Sequence, residues 1–177
     1  MATENSITNF IRIPDIISLG NGIAGLISII FSSSNRPDLA FLFIAIAGVL
    51  DFFDGRIARR MGITSEFGKQ LDSLCDICSF IVAPAVFLFH IESIPVYIRI
   101  VTMIAYLLAG LLRLARFNIT GTTDNGKYFE GMPVPFSIVV VGAFFLFQIS
   151  GLPLLIWLGL YLAHALLMVS TVRIRKL

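Results

Sequence analysis

Charged residues are scarce in this chain: Asp, Glu, Lys and Arg make up 14% of its 177 residues, whereas 57% are hydrophobic. Soluble domains carry about a quarter charged residues, so a conventional water-facing surface is excluded and a bilayer is the expected solvent. Cysteine is almost absent. Cys75 and Cys78 stand at C-x-x-C spacing inside an apolar stretch, without the second Cys or His pair that a zinc site requires, and they read as small packing residues. The leader Met1 to Asn9 has no basic n-region, and no A-x-A-like cleavage site follows it, so the first apolar segment is expected to be retained. Internal repeats and low-complexity tracts are also missing. The net charge of +2 gives no footprint for nucleic acid, because membrane topology accounts for the basic residues.

What is present is a series of apolar runs, at approximately 16–31, 39–53, 71–91, 94–112, 132–149 and 151–172. A helix needs about 20 mostly apolar residues to cross the hydrocarbon core. The reading is therefore an all-α integral membrane protein, a six-transmembrane-helix bundle over residues 15–172. A short N-terminal interfacial helix lies within 1–14, a basic cytoplasmic tail covers 173–177, and the whole chain forms one domain. Gly62 reads as a residue just past a helix C-terminus, Thr64 or Ser65 as the next N-cap, and Pro95 and Pro153 as first-turn prolines. With the N-terminus inside, Arg12, Arg56, Arg59, Arg60, Lys69, Arg113, Arg116, Lys127, Arg173, Arg175 and Lys176 fall at cytoplasmic ends, and only Arg36 and Arg99 do not. By the positive-inside rule this places 51–76 and 117–131 on one cytoplasmic face.

The chemistry-bearing stretch is Asp51-Phe-Phe-Asp54-Gly55-Arg-Ile-Ala58-Arg59, followed by Gly68-Lys-Gln-Leu-Asp72-Ser-Leu-Cys-Asp76. Residues three or four apart share a helix face, so Asp51 and Asp54 stack at the end of the second span, and Asp72 and Asp76 at the start of the third. The short connection makes the two helices antiparallel neighbours, and all four acids are expected to converge. Each acid at membrane depth costs about 2 to 3 kcal/mol on insertion scales, and like charges at close range repel, so a cation must be present. Hard oxygen ligands around an open site suit Mg²⁺ or Mn²⁺, and two such ions are the arrangement used for in-line phosphoryl displacement. Gly55 and Gly68 remove side chains one turn from the carboxylates, Ala58 continues the small surface, and Arg59 offers a fork suited to phosphate oxygens. Buried Asp–Arg pairs that merely pin helices would explain one or two acids, not four.

These residues resemble the CDP-alcohol phosphotransferases, whose signature is D-x-x-D-G-x-x-A-R, eight residues, then G-x-x-x-D-x-x-x-D; every position matches. The segments around Pro14-Asp15-Ile-Ile-Ser18, Leu112-Arg113-Leu-Ala-Arg116-Phe117-Asn118 and Phe129-Glu130-Gly131-Met-Pro133-Val-Pro135 extend the match, and the last two look like the bacterial and archaeal phosphatidylserine synthase branch. The resemblance implies a six-helix membrane fold, a homodimer, and a site that opens to the cytoplasmic face of the cell membrane. It implies that Asp51, Asp54, Asp72 and Asp76 hold two divalent ions, with Asp76 also the general base. It implies that Asp15, Ser18, Gly55, Arg59, Ser65 and Gly68 meet the CDP-lipid. CDP-diacylglycerol would be the donor, L-serine the acceptor and CMP the leaving group, with Asp76 taking the serine hydroxyl proton.

Acceptor contacts are expected from Arg113 and Arg116, which share a face at the end of the fourth span, and from Asn118 and Glu130 on the facing loop; anchoring at the membrane surface is the alternative for the two arginines. His90 reads as an interface residue, His164 as a buried group in need of a hydrogen-bond partner, and Arg99 as a side chain that snorkels outward. Rival acceptors are glycerol 3-phosphate or an inositol phosphate, and a rival donor is an archaeal ether lipid. A cation transporter would instead distribute acids along a path across the bilayer, whereas here they cluster at one end of two spans.

Overall fold

The computed structural model describes Ile7, residues 10–121 and residues 128–175. Among the described residues the fold is helical, apart from one short two-stranded ribbon. In chain order the elements are α1 (Ile13–Ser33), α2 (Pro37–Met61), α3 (Glu66–Asp76), a π-helical segment (Ile77–Val82), α4 (Ala83–Phe89), α5 (Val96–Thr120), β1 (Tyr128–Glu130), a 3₁₀ turn (Val134–Phe136), α6 (Ser137–Ser150), α7 (Leu154–Val169) and β2 (Arg173–Arg175). Among the described residues three helices are long and apolar enough to cross a membrane: Ile13–Ser33, Glu66–Phe89 and Val96–Thr120. Helix α2 has 25 residues but carries the acids and arginines of the signature, while α6 and α7, with 14 and 16 residues, fall short of the usual span.

The packing of α1 is what lipid as a solvent predicts. Its buried face is small or polar (Asp15, Ser18, Asn21, Ala24, Gly25, Ser28 and Ser32), and its exposed face is apolar, with Ile16, Leu19, Ile23, Leu26 and Ile30 open to the surroundings. Apolar side chains gain nothing by leaving hydrocarbon, so small residues that permit close approach occupy the helix interfaces. A Cβ on Gly25 would lie 2.7 Å from the Ser79 Cα, and one on Gly22 would lie 3.1 Å from the Cys75 Sγ. Cys75 is a buried free thiol, in keeping with a packing role.

Glu66 to Phe89 forms one continuous rod at the centre of the bundle, flanked by α1 on one side and α5 on another. Its middle changes register, the Ala83 N–H bonding the Cys78 carbonyl five residues back. Pro84 follows directly and has no N–H to donate, so a π-type turn absorbs the mismatch without breaking the rod. The Pro84 carbonyl still finds a donor, the Tyr161 hydroxyl, at 3.0 Å.

Helix punctuation largely follows the sequence. Gly62 closes α2 with φ 65°, a left-handed conformation that glycine adopts without strain. Ser65 caps α3, its Oγ accepting the Gly68 N–H at 3.0 Å. Pro95 and Pro153 stand one position earlier than expected, as N-caps of α5 and α7. Helix α2 runs past the apolar stretch that ends at Phe53 and continues to Met61. The interfacial helix falls mostly on residues outside those described; Phe10 to Arg12 are turn and extended backbone, and Ile13 and Pro14 already belong to α1. Within the segment read as a basic cytoplasmic tail, Arg173–Arg175 pairs as β2 with β1, antiparallel, Phe129 opposite Ile174. Lys127 and Lys176 lie outside the described residues.

Candidate active site

Three helix ends meet at the site, and each contributes a different chemistry. Helix α2 brings Asp51, Asp54, Gly55 and Arg59, and α3 brings Gly68, Asp72 and Asp76, from opposite sides of the Gly62 turn. Helix α1 supplies hydrogen-bond donors. One oxygen each from Asp51, Asp72 and Asp76 lies within 4.8 Å of the others. Asp54 is turned aside from this trio: its Oδ2 accepts the Ser18 hydroxyl at 2.7 Å, and its Oδ1 accepts the Gly55 N–H. The expected convergence of four acids is therefore three in contact range, with Asp54 at the edge of an adjoining cleft.

The donors on α1 lie on one face. The Asn21 amide donates to Asp76 Oδ1 at 3.2 Å and is fully buried, so it fixes the orientation of that carboxylate much as an outer-shell partner orients a metal ligand. Asn21 was not singled out from the sequence. The signal was available: it is the only Asn in the first apolar run, three residues after Ser18 and six after Asp15. Asp15 is itself buried; its Oδ2 accepts the Arg12 backbone N–H at 2.7 Å. Arg12 Nη1 reaches across to the Ile63 carbonyl at 2.8 Å, tying the start of α1 to the α2–α3 turn.

Beside the acids opens a cleft of about 170 Å³. Asp15, Ser18, Gly55, Arg59, Ser65 and Gly68 all line it, together with Asp54, Asp72 and Lys69. Lys69 is a second cation that the sequence reading did not assign to the site. Gly68 explains itself structurally, since a Cβ there would lie 2.6 Å from Asp15 Oδ1. The cleft thus combines two cations, a helix N-terminus at Ser65 and backbone exposed at two glycines, a set suited to a diphosphate.

The acid trio is suited to divalent metal. Three carboxylates at this spacing repel one another in the low dielectric between helices, and Asp72 Oδ1 is buried with no hydrogen-bond partner among the described residues. A hard cation satisfies both conditions.

The residues expected to meet an acceptor separate. Arg113 is 5% exposed, sits in the electrostatic field of Asp76 and Asp51, and stacks on Phe117 with its guanidinium 5.1 Å from the ring centroid. Arg116 turns instead toward the backbone carbonyls of Glu130, Met168 and Ser170. Asn118 faces α3, its Oδ1 accepting the Ser73 hydroxyl at 3.0 Å. Glu130 lies in β1, with its carbonyl bound by Arg116. His164 has its partners within the bundle, Tyr106 Oη at 3.1 Å and the Pro133 carbonyl at 3.4 Å, so packing accounts for it. Arg99 donates to the Phe89 carbonyl at 2.6 Å.

An acid trio beside a phosphate-ready cleft, on helices with lipid-suited faces, is the setting in which residues 11–172 match the CDP-alcohol phosphatidyltransferase family. The chain belongs to that family. It is 37% identical over 148 residues to the archaetidylserine synthase of Methanothermobacter thermautotrophicus, covering 82% of this chain and 63% of the relative. It is 37% identical over 145 residues to the CDP-diacylglycerol–serine O-phosphatidyltransferase of Saccharomyces cerevisiae, covering 74% and 52%. To the Bacillus subtilis protein of the same name it is 38% identical over 129 residues, covering 71% and 70%. Measured against the first two, the chain spans between half and two thirds of the relative's length.

Proposed function

We propose that this chain is a CDP-diacylglycerol–serine O-phosphatidyltransferase, an enzyme that moves a phosphatidyl group from CDP-diacylglycerol to the hydroxyl of L-serine and releases CMP. The observation that carries the reading is the juxtaposition of Asp51, Asp72 and Asp76 with a cleft whose lining includes Arg59, Lys69 and two glycines. Serine as acceptor is supported by the relatives: their names differ in the lipid and agree on serine. The same donor cleft accepts an ether-lipid CDP donor equally well, because it recognises the diphosphate and not the tails.

In this reading Asp51, Asp54, Asp72 and Asp76 hold two divalent ions, Mg²⁺ or Mn²⁺, which when bound neutralise the donor diphosphate and raise the electrophilicity of its phosphorus. Arg59 and Lys69 bind diphosphate oxygens, while Gly55 and Gly68 let the nucleotide approach backbone. Asp15, Ser18 and Ser65 complete the wall of the CDP pocket. Asp76 accepts the proton from the serine hydroxyl, whose oxygen forms the new bond to phosphorus as the phosphoanhydride bond breaks and its electrons leave with CMP. Asn21 holds Asp76 in the orientation for this transfer. A general base must reach the proton it removes, and Asp76, one turn beyond Asp72 on the rod, reaches deepest.

The protein in this proposal is a single-domain homodimer crossing the cell membrane six times, α2, α6 and α7 supplying three further spans, with the active site facing the cytoplasm. Purified protein given CDP-diacylglycerol, labelled serine and Mn²⁺ or Mg²⁺ tests the chemistry. Serine-dependent CMP release is expected; release that depends on glycerol 3-phosphate and not on serine would reassign the acceptor.

A further inference from the structure

The donor cleft is lined by residues of α1, α2, the following turn and α3, and by none of α5. An in-line displacement brings the attacking hydroxyl from the side of the phosphorus opposite the leaving group. The acceptor must therefore reach Asp76 from beyond the donor cleft, and the element there is the end of α5, which places Arg113 in the field of Asp76 and Asp51 and Asn118 against Ser73. Something must hold that helix end at the right depth and rotation.

Arg116, one turn beyond Arg113, is bonded to do so. Its guanidinium lies against four carbonyls: Nη2 shares its two N–H groups among those of Met168 at 3.0 Å, Ser170 at 2.9 Å and Glu130 at 3.1 Å, and Nη1 donates to that of Val169 at 3.2 Å. Three of these close the C-terminal end of α7, where unpaired carbonyls and the helix dipole favour a cation. The Gly131 N–H donates to the Val172 carbonyl at 2.9 Å and the Met132 N–H to the Leu167 carbonyl at 3.0 Å. Gly131 itself has φ 75°, and a Cβ on it would collide with the Met168 carbonyl and the Arg116 guanidinium. The ribbon of β1 and β2 continues the same seam.

We propose that Arg116 is a positioning residue: with Gly131 and the β1–β2 ribbon it clasps the end of α5 to the end of α7, and so sets the acceptor side of the active site. The proposal rests on the serine-transferase reading. A planar guanidinium presents two nitrogens at once to this carbonyl cluster in a fixed geometry, and a lysine ammonium at the end of a flexible stem offers only one.

The test is steady-state kinetics of Arg116→Lys with each substrate varied in turn, alongside a thermal melt in detergent. The serine KM is expected to rise about tenfold or more, with the CDP-diacylglycerol KM and the Mn²⁺ requirement within about twofold of wild type. Adding Phe129→Cys and Ile174→Cys, which stand opposite each other in the ribbon, should restore the serine KM when the pair is oxidised and lose it again on reduction. If Arg116→Lys does not fold, Gly131→Ala, which keeps the charge, carries the same test with the same pair. An unchanged serine KM in a folded variant overturns the clasp. So does a raised KM that oxidation fails to restore, since Arg116 would then be touching the acceptor directly. A wild-type protein inactive toward serine overturns the parent reading and this proposal together, whereas either of the other results in an active enzyme overturns the clasp alone.

Discussion

One helix face does two different things along the length of α1. In its first half Ser18 and Asn21 donate to the carboxylates of Asp54 and Asp76. In its second half Ser28 and Ser32 are as deeply buried, yet among the described residues their hydroxyls have no partner. The stripe is continuous in sequence, so burial alone does not separate the halves. What separates them is what stands opposite: acids face the first half, whereas at the far end Ser32 shares a small cavity with Phe87, His90 and Ile91 and meets no carboxylate there. A polar residue in a membrane helix is thus a site residue where it meets charge, and elsewhere a small group that lets two backbones approach.

The comparison breaks most visibly at the metal. Chelation with EDTA should abolish serine-dependent CMP release and added Mn²⁺ restore it, measured with wild-type protein in detergent; full activity in EDTA would remove the reason for the acid trio. Next in size, Asp76→Asn should lower kcat by about a thousandfold, the scale of a lost general base, while labelled CDP-diacylglycerol still binds. Asn21→Leu should then lower activity or Mn²⁺ affinity by about 10- to 100-fold, as for other second-layer partners of metal ligands. The finest contrast is between Ser18→Ala and Ser28→Ala. The first should weaken activity several-fold, and the second should leave kinetics intact. Equal effects from the two serines would dissolve the distinction between the halves.

Much of the site was legible because its parts are local. The spacing Asp51, Asp54, Asp72, Asp76 and the Gly62 break put the acids at adjoining ends of two antiparallel helices, and three of them meet within 4.8 Å. Six residues named from the signature and its neighbours line one cleft. Other features were not legible, for one shared reason. Asp54 turning to Ser18, Asn21 reaching Asp76, Lys69 entering the cleft and Arg116 binding carbonyls more than fifty residues away all depend on which helix stands opposite. Arg113 and Arg116 share a helix face in sequence, yet one lies in the field of the acids and the other caps α7. The π-helical turn was foreshadowed only by Pro84, and a local pattern does not say whether a proline breaks a helix or shifts its register.

Composition, capping and helical periodicity act over a few residues, so the sequence alone was enough to say that the chain is helical, that its helices suit lipid, and that four aspartates, two glycines and an arginine belong to one helical hairpin. Only the tertiary structure decided which three acids touch, which side chains orient them, and that the C-terminal segment returns to bind the end of α5. Those outcomes depend on contacts between helices distant in sequence, where close packing at glycines and unpaired carbonyls selects the partner.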